Sequence, residues 1–157
     1  MKFQIISVGK KHDKNLEYYI LDFEKRIKNN FDLKWAILNS EDDNNKKVQI
    51  KKESSKILDI LNKEKGSNYI ILLDERGKEK STVELSNLFE KKMNSGIEKI
   101  VFIIGGAYGI GDEIKEKSDL ILSLSKFIFP HQLVRAIVIE QIYRCISILN
   151  NNKYHHE

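Results

Sequence analysis

Between Ile104 and Asp112 the chain reads Gly105-Gly106-Ala107-Tyr108-Gly109-Ile110-Gly111. Glycine at the end of a strand lets a ligand reach main-chain N–H and C=O groups with no Cβ in the way. The run is not the dinucleotide fingerprint, which needs glycine spacings of two and then three; no start position supplies them. Gly106 and Gly111 have the spacing of a phosphate loop, but Asp112 stands where its lysine belongs and would repel a phosphate. Two readings remain open, a loop that touches a ligand through its backbone and a tight strand–helix turn.

Further on, Ser123-Leu124-Ser125-Lys126-Phe127-Ile128-Phe129 precedes Pro130 and His131. Pro130 lacks an N–H and suits the first turn of a helix, so the residues before it form an extended loop. A loop this apolar needs a reason. Phe127, Ile128 and Phe129 either wall a pocket for a base such as adenine or plug the core. Four polar residues, Arg135, Glu140, Gln141 and Arg144, interrupt the apolar segment that follows. Glu140 and Arg144 have the i,i+4 spacing of a helical ion pair; the rival reading is a guanidinium at a subunit boundary that grips a phosphate. Tyr154, His155 and His156 end the chain with titratable groups. Four histidines and one cysteine without ligand spacing give no metal site. Cys145 lies in the apolar segment and reads as a buried structural thiol.

The elements that position these groups alternate. Phe3–Val8, Leu33–Leu38, Tyr69–Asp74, Lys99–Ile104 and Leu120–Ser123 read as strands, most of them continuous apolar runs suited to burial on both faces. Helical patterns fill Lys14–Lys28, Lys47–Glu64, Thr82–Asn94, Asp112–Lys117 and His131–Leu149. Ser81 and Glu84 form a capping box, and Asp112 is a candidate cap for the short helix after the glycines. This alternation predicts an α/β fold with a largely parallel sheet. Ligands bind such sheets outside the carboxyl ends of the strands, where the loops after Asp74, Ile104 and Ser123 gather. The last helix is apolar on nearly all sides, so it needs cover on opposite faces, by its own sheet and by a second copy of the chain.

Bulk properties fit this picture. The 157 residues suit a single domain spanning 1–157, with 41% hydrophobic and 32% charged residues. A net charge of +4 permits a nucleic-acid partner without requiring one. No apolar run is long enough to span a membrane, the N-terminus reads as a strand, and a single cysteine suits a reducing compartment. These features predict a cytoplasmic protein.

The ordered set Ser7-Val8-Gly9-Lys10, Leu72-Leu73-Asp74 with Gly77-Lys78, Ile104-Gly105-Gly106, Ser123-Leu124-Ser125, Phe129-Pro130-His131, Leu133-Val134-Arg135, Glu140-Gln141-Ile142-Tyr143-Arg144 and Tyr154-His155 resembles the RlmH (YbeA-type) family of SPOUT methyltransferases, end to end. Ala107 stands where relatives often carry proline or serine, a change that main-chain contacts tolerate. The resemblance implies a SPOUT-type, mostly parallel sheet flanked by helices, with a C-terminal deep trefoil knot and a homodimer seam on the last helix. It implies S-adenosylmethionine as cofactor, held by Leu73, Gly105, Leu124, Ser125, Lys126, Phe127, Ile128 and Phe129. It also implies methylation of N3 of a pseudouridine in 23S rRNA of the assembled 70S ribosome, with Arg144, Tyr154 and His155 at the target base and His155 a candidate proton acceptor.

The rivals are a SPOUT methyltransferase acting on tRNA and a non-catalytic dimeric ribosome-binding assembly factor. A nucleotide-binding oxidoreductase ranks last, since both phosphate-loop patterns fail. A pair of chains would carry +8, twice the +4 of one, with no basic tail or aromatic platform. Binding to arbitrary RNA is therefore expected to be weak and salt-sensitive, and recognition of a folded ribosomal surface fits better.

Overall fold

A computed structural model of the chain describes residues 1–152 and Tyr154. Five strands, β1 (Lys2–Val8), β2 (Asp32–Leu38), β3 (Asn68–Glu79), β4 (Lys99–Ile104) and β5 (Leu120–Ser123), alternate with five helices. The helices are α1 (Lys14–Lys28), α2 (Lys46–Lys63), α3 (Thr82–Asn94), α4 (Asp112–Lys117) and α5 (His131–Leu149). All strand pairs are parallel, in the order β2-β1-β4-β3-β5.

Period-two alternation sends side chains to two cores. Phe3, Ile5, Tyr69, Ile71, Ile100, Phe102 and Ile104 pack with α1, α3 and α5. Ile6, Val8, Leu72, Val101 and Ile103 pack on the other face with Ile57 of α2 and Ile114 of α4. Burial on both faces is why these strands carry long apolar runs.

The helix starts follow local chemistry. Ser81 accepts from the Glu84 N–H at 3.2 Å while the Glu84 carboxylate accepts from the Ser81 N–H at 2.7 Å, completing the expected capping box. The expectation for α4 is corrected: Gly111 holds the cap position without a side-chain bond, and Asp112 is the first helical residue, paired with Lys115 at 2.9 Å. Pro130 takes the cap position of α5 rather than its first turn, with an extended ψ of 138°.

Two further differences bear on function. β3 runs beyond Asp74, because it leaves register after Leu73 and rejoins β5 at Lys78, both residues facing Leu122. Residues 74–77 bulge outward at the carboxyl rim. Gly77 permits the return, since a Cβ there would lie 2.6 Å from the Ile121 carbonyl oxygen. The second difference concerns α5. Its wheel is apolar all round because α1 and α3 flank it within one chain and the sheet lies beneath it. On the helix, Leu133 is exposed (37%), and Ile137, Ile148 and Leu149 are half-buried.

Candidate active site

The glycine run leaves β4 beside the carboxyl ends of β3 and β5, and together they border a cleft of about 700 Å³. That volume suits a nucleoside-sized ligand. Leu73, Ile104, Leu122, Leu124, Phe129 and Val134 give it apolar walls, and the bulged Asp74-Glu75-Arg76 closes one side. Leu73, Gly105, Leu124, Ser125, Phe127, Ile128 and Phe129 all line this cleft; Lys126 does not. Phe127 and Ile128 are 77% and 81% exposed, so the apolar loop stands at the rim rather than plugging the core.

The glycine loop folds back on itself as Gly109 N–H donates to the Gly106 carbonyl at 3.1 Å, and Gly109 adopts a φ of +87° that favours glycine. Gly106 and Gly109 pair as an antiparallel bridge, while the N–H groups of Ala107 and Tyr108 donate to no group among the described residues. They remain available to a ligand. Glycine has a second reason here. A Cβ on Gly106 would overlap Glu53 Oε2, and one on Gly111 would lie 2.9 Å from Ser54 Oγ, so α2 presses on the loop from behind. Ser54 Oγ also accepts from the Gly111 N–H at 2.9 Å.

The polar residues of α5 divide into two sets. Arg135 is fully buried and donates to Ser7 Oγ at 2.7 Å, the Lys10 carbonyl at 2.8 Å, the Val8 carbonyl at 3.3 Å and Gln132 Oε1 at 3.4 Å. Burial pulls its pKa below the ordinary arginine value, which starts far too high for the charge to be lost. Spent on these acceptors, Arg135 is not available to a phosphate. It fastens α5 to the end of β1, and Gly9, with φ +129°, leaves room for its guanidinium.

Glu140 organises the second set. Arg144 donates to Glu140 Oε1 through Nε at 2.8 Å and Nη2 at 2.6 Å, and Gln141 donates to Oε2 at 2.7 Å. Tyr154 OH donates to Oε1 at 3.3 Å, and the Arg144 guanidinium lies 4.8 Å from the centre of the Tyr154 ring. Both the ion pair and its neighbouring tyrosine are therefore one cluster. Burial, then the Glu140 carboxylate, pushes the Tyr154 phenol above its ordinary pKa, so it is a proton donor at neutral pH. Glu140 accepts four hydrogen bonds and is a holder of the cluster rather than a free base. Cys145 is an inert thiol, pushed up to about 12 chiefly by burial. His155 and His156 lie outside the described residues.

The fold does not bring these two groups of residues together in one chain. α5 begins at the cleft, which His131 and Val134 line. Arg144 lies ten residues beyond Val134, about 15 Å along the helix.

Several groups escape sequence reasoning. Tyr108, His131 and Val134 line the cleft; the expected Glu140–Arg144 ion pair is present, and what the spacing does not reveal is that Glu140 also takes Gln141 and Tyr154. Glu53 is 2% exposed in the middle of a lysine-rich helix. Its signal was available: Glu53 and Ser54 interrupt the stripe formed by Ile50, Ile57 and Leu61, where an apolar residue belongs.

A family model described as "Predicted SPOUT methyltransferase" matches residues 1–155. A Flavobacterium psychrophilum protein named ribosomal RNA large subunit methyltransferase H is 41% identical over 161 residues, covering all of both chains. Proteins of the same name from Fusobacterium nucleatum and Phocaeicola vulgatus are 42% and 39% identical, covering 99% of both chains and 100% of both chains respectively.

Proposed function

The chain belongs to the SPOUT methyltransferase family, and on that premise we propose that it methylates N3 of a pseudouridine in 23S rRNA of the assembled ribosome, with S-adenosylmethionine as donor. The observation that carries this reading is the cleft at the carboxyl rim, apolar on its walls and lined by unpaired main-chain N–H groups on its glycine side. An adenosine fits between Leu73, Leu124 and Phe129, and main-chain groups of Gly105 and Ser125 suit its polar edges. A sulfonium cofactor supplies an already activated methyl group. The chain's own work is alignment, exclusion of water and management of one proton.

That proton is on the weakly acidic imide N3 of the target, which needs an acceptor or a stabilised anion. Arg144, whose Nη1 group takes no part in the bonds to Glu140, serves as the donor to the developing negative charge; Tyr154, its O–H given to Glu140, flanks the guanidinium with its ring. His155 is our candidate for the acceptor. These groups reach a cleft in a homodimer, where one copy's Arg144 and Tyr154 complete the partner's cleft. Two observations support the pairing: the helical distance between cleft and cluster, and the exposure of Tyr18 (85%) and Leu21 (51%) on α1. A C-terminal trefoil knot, with the 124–130 segment as one wall of the cofactor cleft, and a cytoplasmic location complete the reading. No described helix is long and apolar enough to cross a membrane.

Calorimetric titration with S-adenosylmethionine tests the cofactor assignment. We expect saturable binding that is lost when Gly105 carries a side chain, because a Cβ there would lie 2.6 Å from Ile110 Cγ1 and shift the loop. A protein that associates with ribosomes yet binds no S-adenosylmethionine is instead the non-catalytic assembly factor.

A further inference from the structure

Glu53 joins the glycine loop to the segment after β2. Its Oε1 accepts from the Glu41 main-chain N–H and from Gln49 Nε2, each at 3.0 Å, which ties α2 to the segment after β2. Its Oε2 is buried and has no hydrogen-bond partner among the described residues. Buried carboxyl oxygens are almost always paired, so an open one beside a ligand-binding loop calls for a donor. The loop has donors to give. Oε2 faces Gly106 from behind, and the N–H groups of Ala107 and Tyr108, next along the loop, are unpaired among the described residues. Ser54, next in sequence, already accepts from the far end of the loop at Gly111.

We propose that Glu53 is a positioning residue for the cofactor site: its Oε2 receives a main-chain N–H of the glycine loop when the cofactor seats, fixing the loop in its binding shape. The inference rests on the reading of the cleft as the cofactor site. Because Glu53 also anchors Glu41, cofactor binding is thereby tied to the 39–45 segment, whose Glu41 and Asp43 pair with Lys56 and Lys52 of α2.

Glu53→Gln tests this with little change of shape. Glu41 and Gln49 both donate at Oε1, so the amide oxygen takes that place and the NH₂ group faces the loop. The variant keeps the anchor and turns the open acceptor into a donor. We expect about tenfold weaker S-adenosylmethionine binding by calorimetry, the scale of one lost hydrogen bond to a charged group. The melting temperature without cofactor stays unchanged, and kcat recovers at saturating cofactor while KM for it rises. Unaltered affinity, or a fall in kcat with KM unchanged, would overturn the role. Should Glu53→Gln fail to fold, Glu53→Asp decides, since it withdraws the carboxylate from the loop and adds no atom that could push the loop: weaker cofactor binding supports the role and unaltered binding overturns it. Failure of the unmodified protein to bind S-adenosylmethionine would strike at the cofactor reading instead.

Discussion

Replacing Arg144 with alanine lowers methyl transfer at saturating ribosome and cofactor by about 10²–10³-fold, the usual cost of one preorganised donor to a developing charge. Cofactor affinity stays unchanged, because the rim loops after β3, β4 and β5 line the cofactor cleft and Arg144 acts on the target base. The guanidinium makes two contacts to one carboxylate oxygen and faces a tyrosine ring. A lysine, as a point charge, reproduces neither the fork nor the planar stacking, so Arg144→Lys recovers only part of the rate. Single-turnover measurements with a labelled methyl group check both variants. His155→Ala in the same assay slows the chemical step if His155 takes the N3 proton; an unchanged rate would remove it from that role. Were Arg144→Ala to weaken cofactor binding and spare the chemical step, the division of labour between the two ends of α5 would be wrong.

Arg135→Met has its effect on stability. Methionine fills much of the space, yet it leaves Ser7 Oγ, the Val8 and Lys10 carbonyls and Gln132 Oε1 without their donor. A buried acceptor left open costs more than a hydrogen bond contributes, and breaking a buried charged network costs about 3–5 kcal/mol. For a domain of this size that loss lowers Tm by roughly 6–20 °C. Thermal unfolding followed by circular dichroism checks it. An unchanged Tm would mean that the join between β1 and α5 does not depend on this residue.

Much of the architecture is legible along the chain because the signals are local. Apolar runs of strand length, the Ser81–Glu84 box and the glycine run locate β4, α3 and the rim of the sheet without tertiary information. What escapes depends on contacts distant in sequence. The bulge after Leu73 exists because β3 meets Leu122 twice, which no property of residues 74–77 alone reveals. The cover on α5 comes from α1 and α3, more than thirty residues away. Asp112 looks like a cap from its type, but the extended Gly111 occupies that place and Asp112 turns to Lys115 instead. Glycine at 106 and 111 suggests ligand access in the sequence; in the fold their missing side chains also make room for Glu53 and Ser54. The candidate residues divide in the same way. Those on the rim loops converge because consecutive strand ends converge. Arg144 and Tyr154 join through Glu140, a partnership half visible as an i,i+4 spacing.

The cleft is proposed to deliver a methyl group to one pseudouridine of the large-subunit RNA. Ribosomes from cells lacking this gene, incubated with the purified protein and isotope-labelled S-adenosylmethionine, provide the decisive material. Mass mapping of their RNA should find a single labelled methyl on N3 of one pseudouridine in 23S rRNA, and far less when protein-free rRNA replaces ribosomes. No incorporation, or label found in transfer RNA alone, would contradict the account.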